Sequence, residues 1–301
     1  MSDRKKNTLI LTQTDPKKDI MFQQWLNEGL NADLLFKKAP KLLRAIRRIW
    51  LYYNLPFSII WFGDWIRRIN NYNHFIIHAS EMTGTVASWI HHFNPTARII
   101  YWYWNPVNKY SNPYRVKDKN VEFWTFDAGD AEKYHMQKNI QYYCPPIPYK
   151  SGESNIRYDV YFIGHDKGRK QEINNFKKIL DQYSISHKIR ILKDNDFFPY
   201  SKVFREIQQC KAILEINQSG QKGLTLRALE SLFLSKKLIT TNSEIKKVKF
   251  YNSRNIFVIG KDNIQEIKKF VDSPYDHETD QYKKEYNVQT WFYNFFKSKT
   301  C

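Results

Sequence analysis

A glycine-bearing loop and the amphipathic helix predicted to follow it, within residues 217–242, carry residue types that suit a phosphorylated ligand. Gly223 precedes a helix start predicted near Leu224 or Thr225, where free backbone N–H groups and the positive end of the helix dipole would face an anion. Glu230 lies about 10 Å further along the same helix face. This separation suits a ligand with phosphates at one end and sugar hydroxyls at the other, and a nucleotide sugar is such a ligand.

Two basic side chains accompany this helix. Lys222 lies between Gly220 and Gly223 in the loop, and Arg227 shares the polar helix face with Glu230. The alternative interpretation is an ordinary surface helix whose Arg–Glu pair, three residues apart, is simply solvated. The residues by themselves leave both interpretations open.

A second candidate phosphate-binding loop follows a predicted strand and precedes a predicted helix. Gly164 and Gly168 would let the backbone approach a phosphate closely, while Lys167 and Arg169 supply positive charge. An arginine can also grip a phosphate with two donors at once. The alternative is a polar turn whose basic side chains are solvated.

Candidates for a general base follow the predicted strand HFIIH, at its carboxyl end. Glu81 and His78 have side chains that can take a proton from an acceptor hydroxyl. Alternatively, Ser80 caps the next helix and Glu81 lies in its first turn, where a negative charge is favourable. Asp15 is a further candidate base, although its place before Pro16 also fits a turn.

The sequence gives little reason to expect a metal site. Asp194 and Asp196 have the Asp-x-Asp spacing that could hold Mg²⁺ or Mn²⁺, but such a three-residue pattern is common by chance. The three cysteines are far apart, which gives no zinc spacing and fits a reducing compartment: Cys144, Cys210 and Cys301. We therefore expect neither a metal nor a cofactor.

Three segments, in this order, resemble bacterial GT-B glycosyltransferases that build lipopolysaccharide and capsule: FWTFDAGDAEKY (Phe123–Tyr134), YDVYFIGHDKGR (Tyr158–Arg169) and GLTLRALESLFLSKKLITTN (Gly223–Asn242). The resemblance is weak across residues 1–75. It implies that Glu230 meets the nucleotide ribose of a donor. It also implies that the donor diphosphate lies between the loop at Lys167 and the helix start at Gly223.

The resemblance further implies an α/β fold of GT-B type, with two Rossmann-like doubly wound domains, an interdomain cleft and a final helix that crosses back onto the first domain. Short apolar strands that alternate with helices independently predict parallel βαβ units. Helical character is expected from Asp19 to Ala32. The predicted divisions are an acceptor-side domain at 1–150, a nucleotide-sugar-binding domain at 156–283 and the crossing helix at 284–301, with the linker around Pro145 to Asn155.

The net charge of +18 indicates an anionic partner, such as a membrane surface, nucleic acid or a phosphorylated substrate. No signal peptide and no stretch long enough to span a membrane is expected. One segment, Lys37 to Arg68, suits an anionic membrane surface; alternatively, its apolar face packs in the core. Its basic, apolar and aromatic members are Lys37, Lys38, Lys41, Arg44, Arg47, Arg48, Arg67 and Arg68 with Leu42, Leu43, Ile46, Trp50, Trp61 and Trp65.

The resemblance, together with the charge, implies a metal-independent hexosyl- or deoxyhexosyltransferase, peripheral on the inner face of the cytoplasmic membrane. Its partners would be a nucleotide-sugar donor and a lipid-linked lipopolysaccharide, capsule or related glycan acceptor. The alternative is a non-catalytic basic nucleic-acid-binding protein, which the charge of +18 favours. Because no RRM, KH, zinc-finger or basic-zipper signature occurs, we expect no nucleic-acid partner.

Overall fold

A computed structural model describes residues 2–146, 155–193, 196–218 and 223–297. The chain forms two compact units, Met1–Ile140 and Gln141–Cys301. Most of the segment proposed as the linker lies outside the described residues, so the predicted domain boundaries stay a prediction.

The first unit is built on a parallel sheet of six strands in the order β2-β1-β3-β4-β5-β6. The strands are β1 Thr8–Thr12, β2 Asn31–Leu34, β3 His74–His78, β4 Arg98–Tyr103, β5 Glu122–Thr125 and β6 Gln137–Lys138. The helices are α1 Ser2–Lys6, α2 Gln23–Asn27, α3 Lys41–Tyr52, α4 Val86–Phe93 and α5 Ala128–Tyr134, with 3-10 turns at Ser58–Trp61, Asp64–Asn71 and Pro113–Arg115.

The central strands of this sheet are buried along nearly their whole length, as expected when both faces of a parallel sheet are covered. The helix predicted from Asp19 to Ala32 was wrong in extent. Helix α2 ends at Asn27 because Gly29 adopts a left-handed conformation with φ of 73°. The Leu30 N–H then donates to the Trp25 carbonyl at 2.9 Å, which closes the helix and sends the chain into β2.

The second unit contains a parallel sheet of five strands in the order β11-β10-β9-β7-β8. The strands are β7 Tyr158–His165, β8 His187–Leu192, β9 Cys210–Glu215, β10 Lys237–Thr240 and β11 Ile256–Val258. The helices are α6 Lys170–Gln182, α7 Tyr200–Gln208, α8 Leu226–Phe233, α9 Ile267–Asp272 and α10 Val288–Asn294, with 3-10 turns at Ser243–Lys247, Ile264–Glu266 and His277–Tyr286.

Helices cover both faces of this second sheet. Val160 and Phe162 of β7 pack with α6 and α9, while Tyr161 and Ile163 point to the other face and pack with α7 and α8. Because successive strand residues alternate in direction, one strand supplies both cores. Each sheet is therefore parallel and flanked by helices, which confirms the α/β class and agrees with two Rossmann-like folds.

The final helix packs within its own unit. The Trp291 ring lies 4.4 Å from the Tyr142 ring and 5.1 Å from the Phe295 ring, measured between centroids. Trp291 is fully buried. The predicted crossing of this helix onto the first domain stays a prediction. Across the residues that are described, no helix is both long and apolar enough to cross a bilayer.

Candidate functional site

Two of the sequence-predicted loops leave the second sheet at the same edge. The chain runs from β7 outward to β8 and then returns past β7 to β9, so β7 and β9 are neighbours whose connections diverge. Ligands of doubly wound sheets bind outside the carboxyl ends of strands at such a point. The loop after β7 carries Lys167 and Arg169, and the loop after β9 leads to α8.

The backbone of the loop after β7 turns sharply into α6. Lys167 and Gly168 both have left-handed conformations, with φ of 48° and 80°. The Asp166 carboxylate accepts a hydrogen bond from the Lys170 N–H at 2.8 Å, which closes the turn at the start of the helix. Since Lys167 is held in a conformation that favours glycine, the fold maintains a strained residue at the predicted phosphate site.

Two guanidinium groups crowd around the end of β7. Those of Arg169 and Arg227 lie 5.6 Å and 5.1 Å from the centroid of the same Phe162 ring. A Cβ atom on Gly164 would stand only 3.0 Å from Arg169 Nη2 and 3.1 Å from Arg227 Nη2. The missing side chain at Gly164 therefore makes the room that both arginines occupy.

The partners of these two arginines are neutral. Arg169 donates to the carbonyls of Ile216 and His165, and Arg227 donates to the carbonyl of Ile163. Within the described parts of the chain, neither forms an ion pair with a carboxylate. Burial lowers the pKa of Arg169, and the neighbouring charge of Arg227 lowers it further. A bound anion would offset this repulsion between like charges.

Lys167 adds a third positive charge at the same edge. Partial burial of its ammonium, and then the charges of Arg169 and Arg227, lower its pKa. Its side chain forms no ion pair with any residue the structure describes. Lys167 and Arg169 border a cavity of about 520 Å³. Its other lining residues are Gly168, Glu172, Asn217, Gln218, Thr241, Asn242, Ser243 and Glu244.

Glu230 is the second element of the site. It lies on α8 and is only 4 % exposed, so the solvated surface pair considered from sequence does not occur. Its Oε1 atom accepts a hydrogen bond of 2.8 Å from the Tyr200 hydroxyl, which lies 2.7 Å from the Tyr143 hydroxyl. Burial raises the pKa of Glu230 to about 7. A carboxyl with a pKa near neutrality can accept hydrogen bonds from sugar hydroxyls once it ionises.

An apolar cavity of about 250 Å³ adjoins Glu230 and Arg227. Its other walls include Leu192, Phe198 and Tyr200, and the floor is formed by β7 residues from Tyr161 to Gly164. Ligand pockets usually measure about 300 Å³ or more and combine apolar walls with a few polar groups. This cavity approaches that description, with one carboxyl and one guanidinium at its border.

The start of α8 lacks a side-chain cap. Its N-cap is Thr225, whose hydroxyl donates to Glu215 instead of capping the helix. Glu215 is buried and also accepts a hydrogen bond from Thr240, so it ties the loop before α8 to β10. Glu215 ends β9 directly before the loop, and sequence reasoning missed its role. The first N–H groups of α8 remain uncapped by Thr225, as an anion-binding helix start requires.

Two other predicted binding residues, Gly223 and Leu224, lie in the loop before α8. The Gly223 carbonyl accepts a 3.4 Å hydrogen bond from the Asn242 side chain. Lys222 and Asp194 lie outside the described residues. Asp196 is exposed and accepts a 3.0 Å bond from the Lys193 N–H. In the described ranges no cluster of three His, Cys, Asp or Glu side chains suits a metal ion, and metal independence stays a prediction.

His78 ends β3 in the first unit and is enclosed by aromatic rings. The centroids of Phe22, Trp25 and Trp104 lie 5.8, 5.1 and 5.3 Å from its imidazole. Its Nε2 atom is buried and has no hydrogen-bond partner among the described residues. Burial lowers the pKa of His78 to about 3, so the ring is neutral at pH 7 and weakly basic.

Glu81 follows β3 and is half-buried. Its carboxylate lies 3.2 Å from Nε of Arg48, a partner that sequence reasoning did not foresee. Ser80 does not cap the next helix, because α4 begins only at Val86. Instead its hydroxyl accepts a 3.2 Å bond from the Met82 N–H and shapes a turn. The catalytic roles of His78 and Glu81 stay predictions.

Asp15 lies beside a cavity of about 330 Å³ in the first unit. Its carboxylate lies 2.8 Å from the Lys38 ammonium, and it also accepts a 3.1 Å bond from the Lys17 N–H. The bond to Lys38 is the main reason that its pKa is lowered. Asp15 therefore both shapes the predicted turn and carries an ion-paired carboxylate.

The sequence matches no protein-family model and no curated protein. Among solved structures, the chain is similar to the crystal structure of TarM, with a TM-score of 0.45 and 10 % sequence identity. The alignment covers 74 % of this chain and 54 % of the TarM chain, so this chain spans about half the length of TarM.

We expect Glu230→Gln to stabilise the protein at about pH 8 and to change its stability little at about pH 5. Because burial raises the pKa of Glu230 from 4.5 to about 7, the native state holds the proton more tightly, and stability falls as pH rises through this window. Glutamine still accepts the Tyr200 hydrogen bond but cannot ionise, which removes a cost on the order of 1–3 kcal/mol. Thermal unfolding at both pH values measures the effect.

Glu206→Gln is the matched control. Burial raises the pKa of Glu206, but its bonds to Lys188 and Tyr158 outweigh burial and lower it. This substitution should therefore destabilise the protein at about pH 8. If Glu230→Gln also lowers the unfolding temperature at about pH 8, ionisation of the Glu230 carboxyl does not destabilise the native state.

Proposed function

We propose that this protein is a glycosyltransferase that binds a nucleotide-sugar donor in its second unit. The observation that carries the proposal is the group of three adjacent cations at the end of β7, Lys167, Arg169 and Arg227. Among the described residues, none of the three is paired with a carboxylate. Such a group matches the charge of a diphosphate, which needs several charge-assisted hydrogen bonds.

Two cavities border this group of cations. They suit a nucleotide sugar, which has a nucleobase at one end and a sugar ring at the other. The apolar cavity of about 250 Å³ would take the nucleobase, and Glu230 at its border would bind the ribose hydroxyls. The cavity of about 520 Å³ would take the sugar, because amide and hydroxyl side chains such as Asn242 and Thr241 line it. The diphosphate would then lie at Arg169 and Arg227, between the two.

Catalysis would come mainly from neutralising the leaving group. In the transfer, an acceptor hydroxyl oxygen bonds to the anomeric carbon while the bond from that carbon to the diphosphate breaks. Negative charge grows on the departing diphosphate, and preorganised cations stabilise it without reorganisation. Lys167, Arg169, Arg227 and the start of α8 would do so without a metal. The acceptor proton passes to a base, for which Glu81 and His78 remain our candidates.

We propose transfer of a hexose or deoxyhexose to a lipid-linked lipopolysaccharide, capsule or related bacterial glycan. The protein would bind peripherally to the inner face of the cytoplasmic membrane. Support comes from the net charge of +18 and from the exposed basic helix α3. As predicted from the sequence, the first domain would bind the acceptor and the second domain would bind the nucleotide sugar.

The charge of +18 also favours a second candidate, a basic protein that binds nucleic acid without catalysis. Oligonucleotide binding of that kind weakens steeply as salt rises, whereas donor binding in a cavity changes less. Salt titration of oligonucleotide and nucleoside diphosphate binding separates the two candidates. Tight oligonucleotide binding without nucleotide binding would favour the second.

We expect Arg169→Ala to raise the dissociation constant of a nucleoside diphosphate by about 10- to 100-fold, because it removes charge-assisted hydrogen bonds. The constant for the nucleoside alone should change little. Lys167→Gly tests the same site without risk to the fold, since φ of 48° suits glycine. Isothermal calorimetry over a set of nucleoside diphosphates measures both variants.

Lys178→Ala provides the control, because it removes an exposed positive charge from the middle of α6. It should leave nucleotide affinity unchanged. An equal loss of nucleoside and nucleoside diphosphate affinity in Arg169→Ala would show that this residue only supports the fold.

Sugar transfer is expected to persist in excess chelator, because the three cations replace a metal at the diphosphate. Release of nucleoside diphosphate from a nucleotide sugar, in the presence of lipid-linked acceptor, measures the rate. A requirement for added Mn²⁺ would contradict this expectation and direct attention to Asp194 and Asp196.

A further inference from the structure

Helix α3 turns its apolar face to solvent. Leu42 is 74 % exposed and Ile49 is 60 % exposed, and Ile46 and Tyr53 lie exposed on the same helical face. Soluble helices normally bury such a face against the body of the protein. The core-packing alternative considered from sequence therefore fails for these side chains. Contiguous exposed apolar groups of this kind mark an interaction surface.

The opposite side of α3 holds the helix to the first unit. Leu51 is fully buried. Arg47 is 9 % exposed and donates from Nη1 to the Lys37 carbonyl at 2.6 Å, with its guanidinium 5.0 Å from the Phe36 ring centroid. Arg47 is thus an anchor of the helix and does not face outward. Trp65 also belongs to the core, contrary to its place in the predicted surface segment.

The turn after α3 presents another apolar side chain under backbone strain. Phe57 is 70 % exposed and has φ of 57°, which is rare for a bulky residue. Two bonds fix the turn: Trp50 Nε1 donates to the Pro56 carbonyl at 2.9 Å, and Asn54 donates to the Arg115 carbonyl at 3.2 Å. A strained residue whose side chain packs little is better explained by function than by stability.

Positive charges flank the exposed apolar face. Residues 37–68 contain eight Lys or Arg and one acidic residue, Asp64. At 100° per residue, Lys41, Arg44 and Arg48 fall on one flank of α3. Arg48 pairs with Glu81, whereas Lys41 and Arg44 form no ion pair with the residues the structure describes. Anionic headgroups can pair with these exposed groups while the apolar side chains enter the bilayer.

We propose that α3 and the turn at Phe57 form a surface that inserts into an anionic lipid bilayer, with α3 parallel to the membrane plane. This deepens the membrane part of the proposed function. Helices of this kind lie with their apolar face about 5–10 Å into the boundary between headgroups and acyl chains. A second copy of the chain is a poorer occupant, because two such surfaces would bring like charges together.

The apolar part of the surface is tested with Leu42→Gln/Ile49→Gln and, separately, Phe57→Asn. Glutamine keeps the helix propensity of α3, and asparagine tolerates positive φ. Both variants should fold with unchanged or higher unfolding temperature. Each should lose about tenfold or more of its binding to vesicles of equal parts phosphatidylglycerol and phosphatidylcholine, measured by co-sedimentation. Ile156→Gln, which changes another exposed aliphatic side chain, should bind like the parent.

The charged part is tested with Lys41→Gln/Arg44→Gln, which should weaken binding by about fivefold for each removed charge at low salt. Lys177→Gln/Lys178→Gln on α6 removes the same charge elsewhere and should have less effect. Raising salt should abolish the difference between the α3 charge variant and the parent but not that between Phe57→Asn and the parent.

Parent-like sedimentation of the Leu42/Ile49 and Phe57 variants would overturn the proposal. So would an apolar variant that converts a dimer to a monomer in analytical ultracentrifugation, because the surface would then join two copies. Calorimetry measures the affinity of the donor site for nucleoside diphosphate separately. The α3 variants should keep that affinity, and Arg169→Ala should still bind vesicles, so failure of one proposal leaves the other distinguishable.

Discussion

The crowding of Arg169 and Arg227 around Gly164 is the constraint on which the second unit depends. Two guanidinium groups lie near one aromatic ring, and their hydrogen bonds to described residues go to backbone carbonyls. Their mutual repulsion and the loss of water both oppose this arrangement. Neighbouring residues make this arrangement possible. Gly164 of β7 has no side chain where the two guanidinium groups lie, and Glu215 accepts hydrogen bonds that fix the loop before α8.

A second cost is carried by Glu230. Its carboxyl is buried against Tyr200, and burial raises its pKa to about 7, so ionisation at neutral pH works against folding. Conflicts between local stability and local chemistry are expected at functional sites. Here the buried carboxyl of Glu230 and the guanidinium of Arg227 border the same apolar cavity. A ligand with an anionic centre and hydroxyl groups would relieve both.

The first unit also has features that oppose its stability in water. Phe57 is strained and exposed, and the apolar face of α3 is turned to water. Neither feature stabilises the fold in water. Arg47, on the buried side of α3, donates a hydrogen bond to the Lys37 carbonyl and so anchors the helix.

Sequence patterns predicted strands and loops of the fold, but they did not predict the contacts that buried side chains make at the site. The strand at His74–His78 and the loop with Lys167 were predictable because apolar runs and glycine–basic turns are local signals. Glu230 was expected on a polar face, yet it is buried, because Tyr200 comes from a helix thirty residues earlier. The roles of Gly164 and Arg47 were equally hidden, since both depend on neighbours that a linear pattern does not show.

The most direct measurement compares the unfolding temperature of the unchanged protein with a nucleoside, its monophosphate and its diphosphate at equal concentration. Because ligands that bind only the native state raise its stability, stabilisation should increase with each phosphate. The diphosphate should raise the unfolding temperature most, and added chelator should not alter this order. Equal stabilisation by all three ligands, or none by the diphosphate, would contradict the claim that the paired arginines hold a diphosphate.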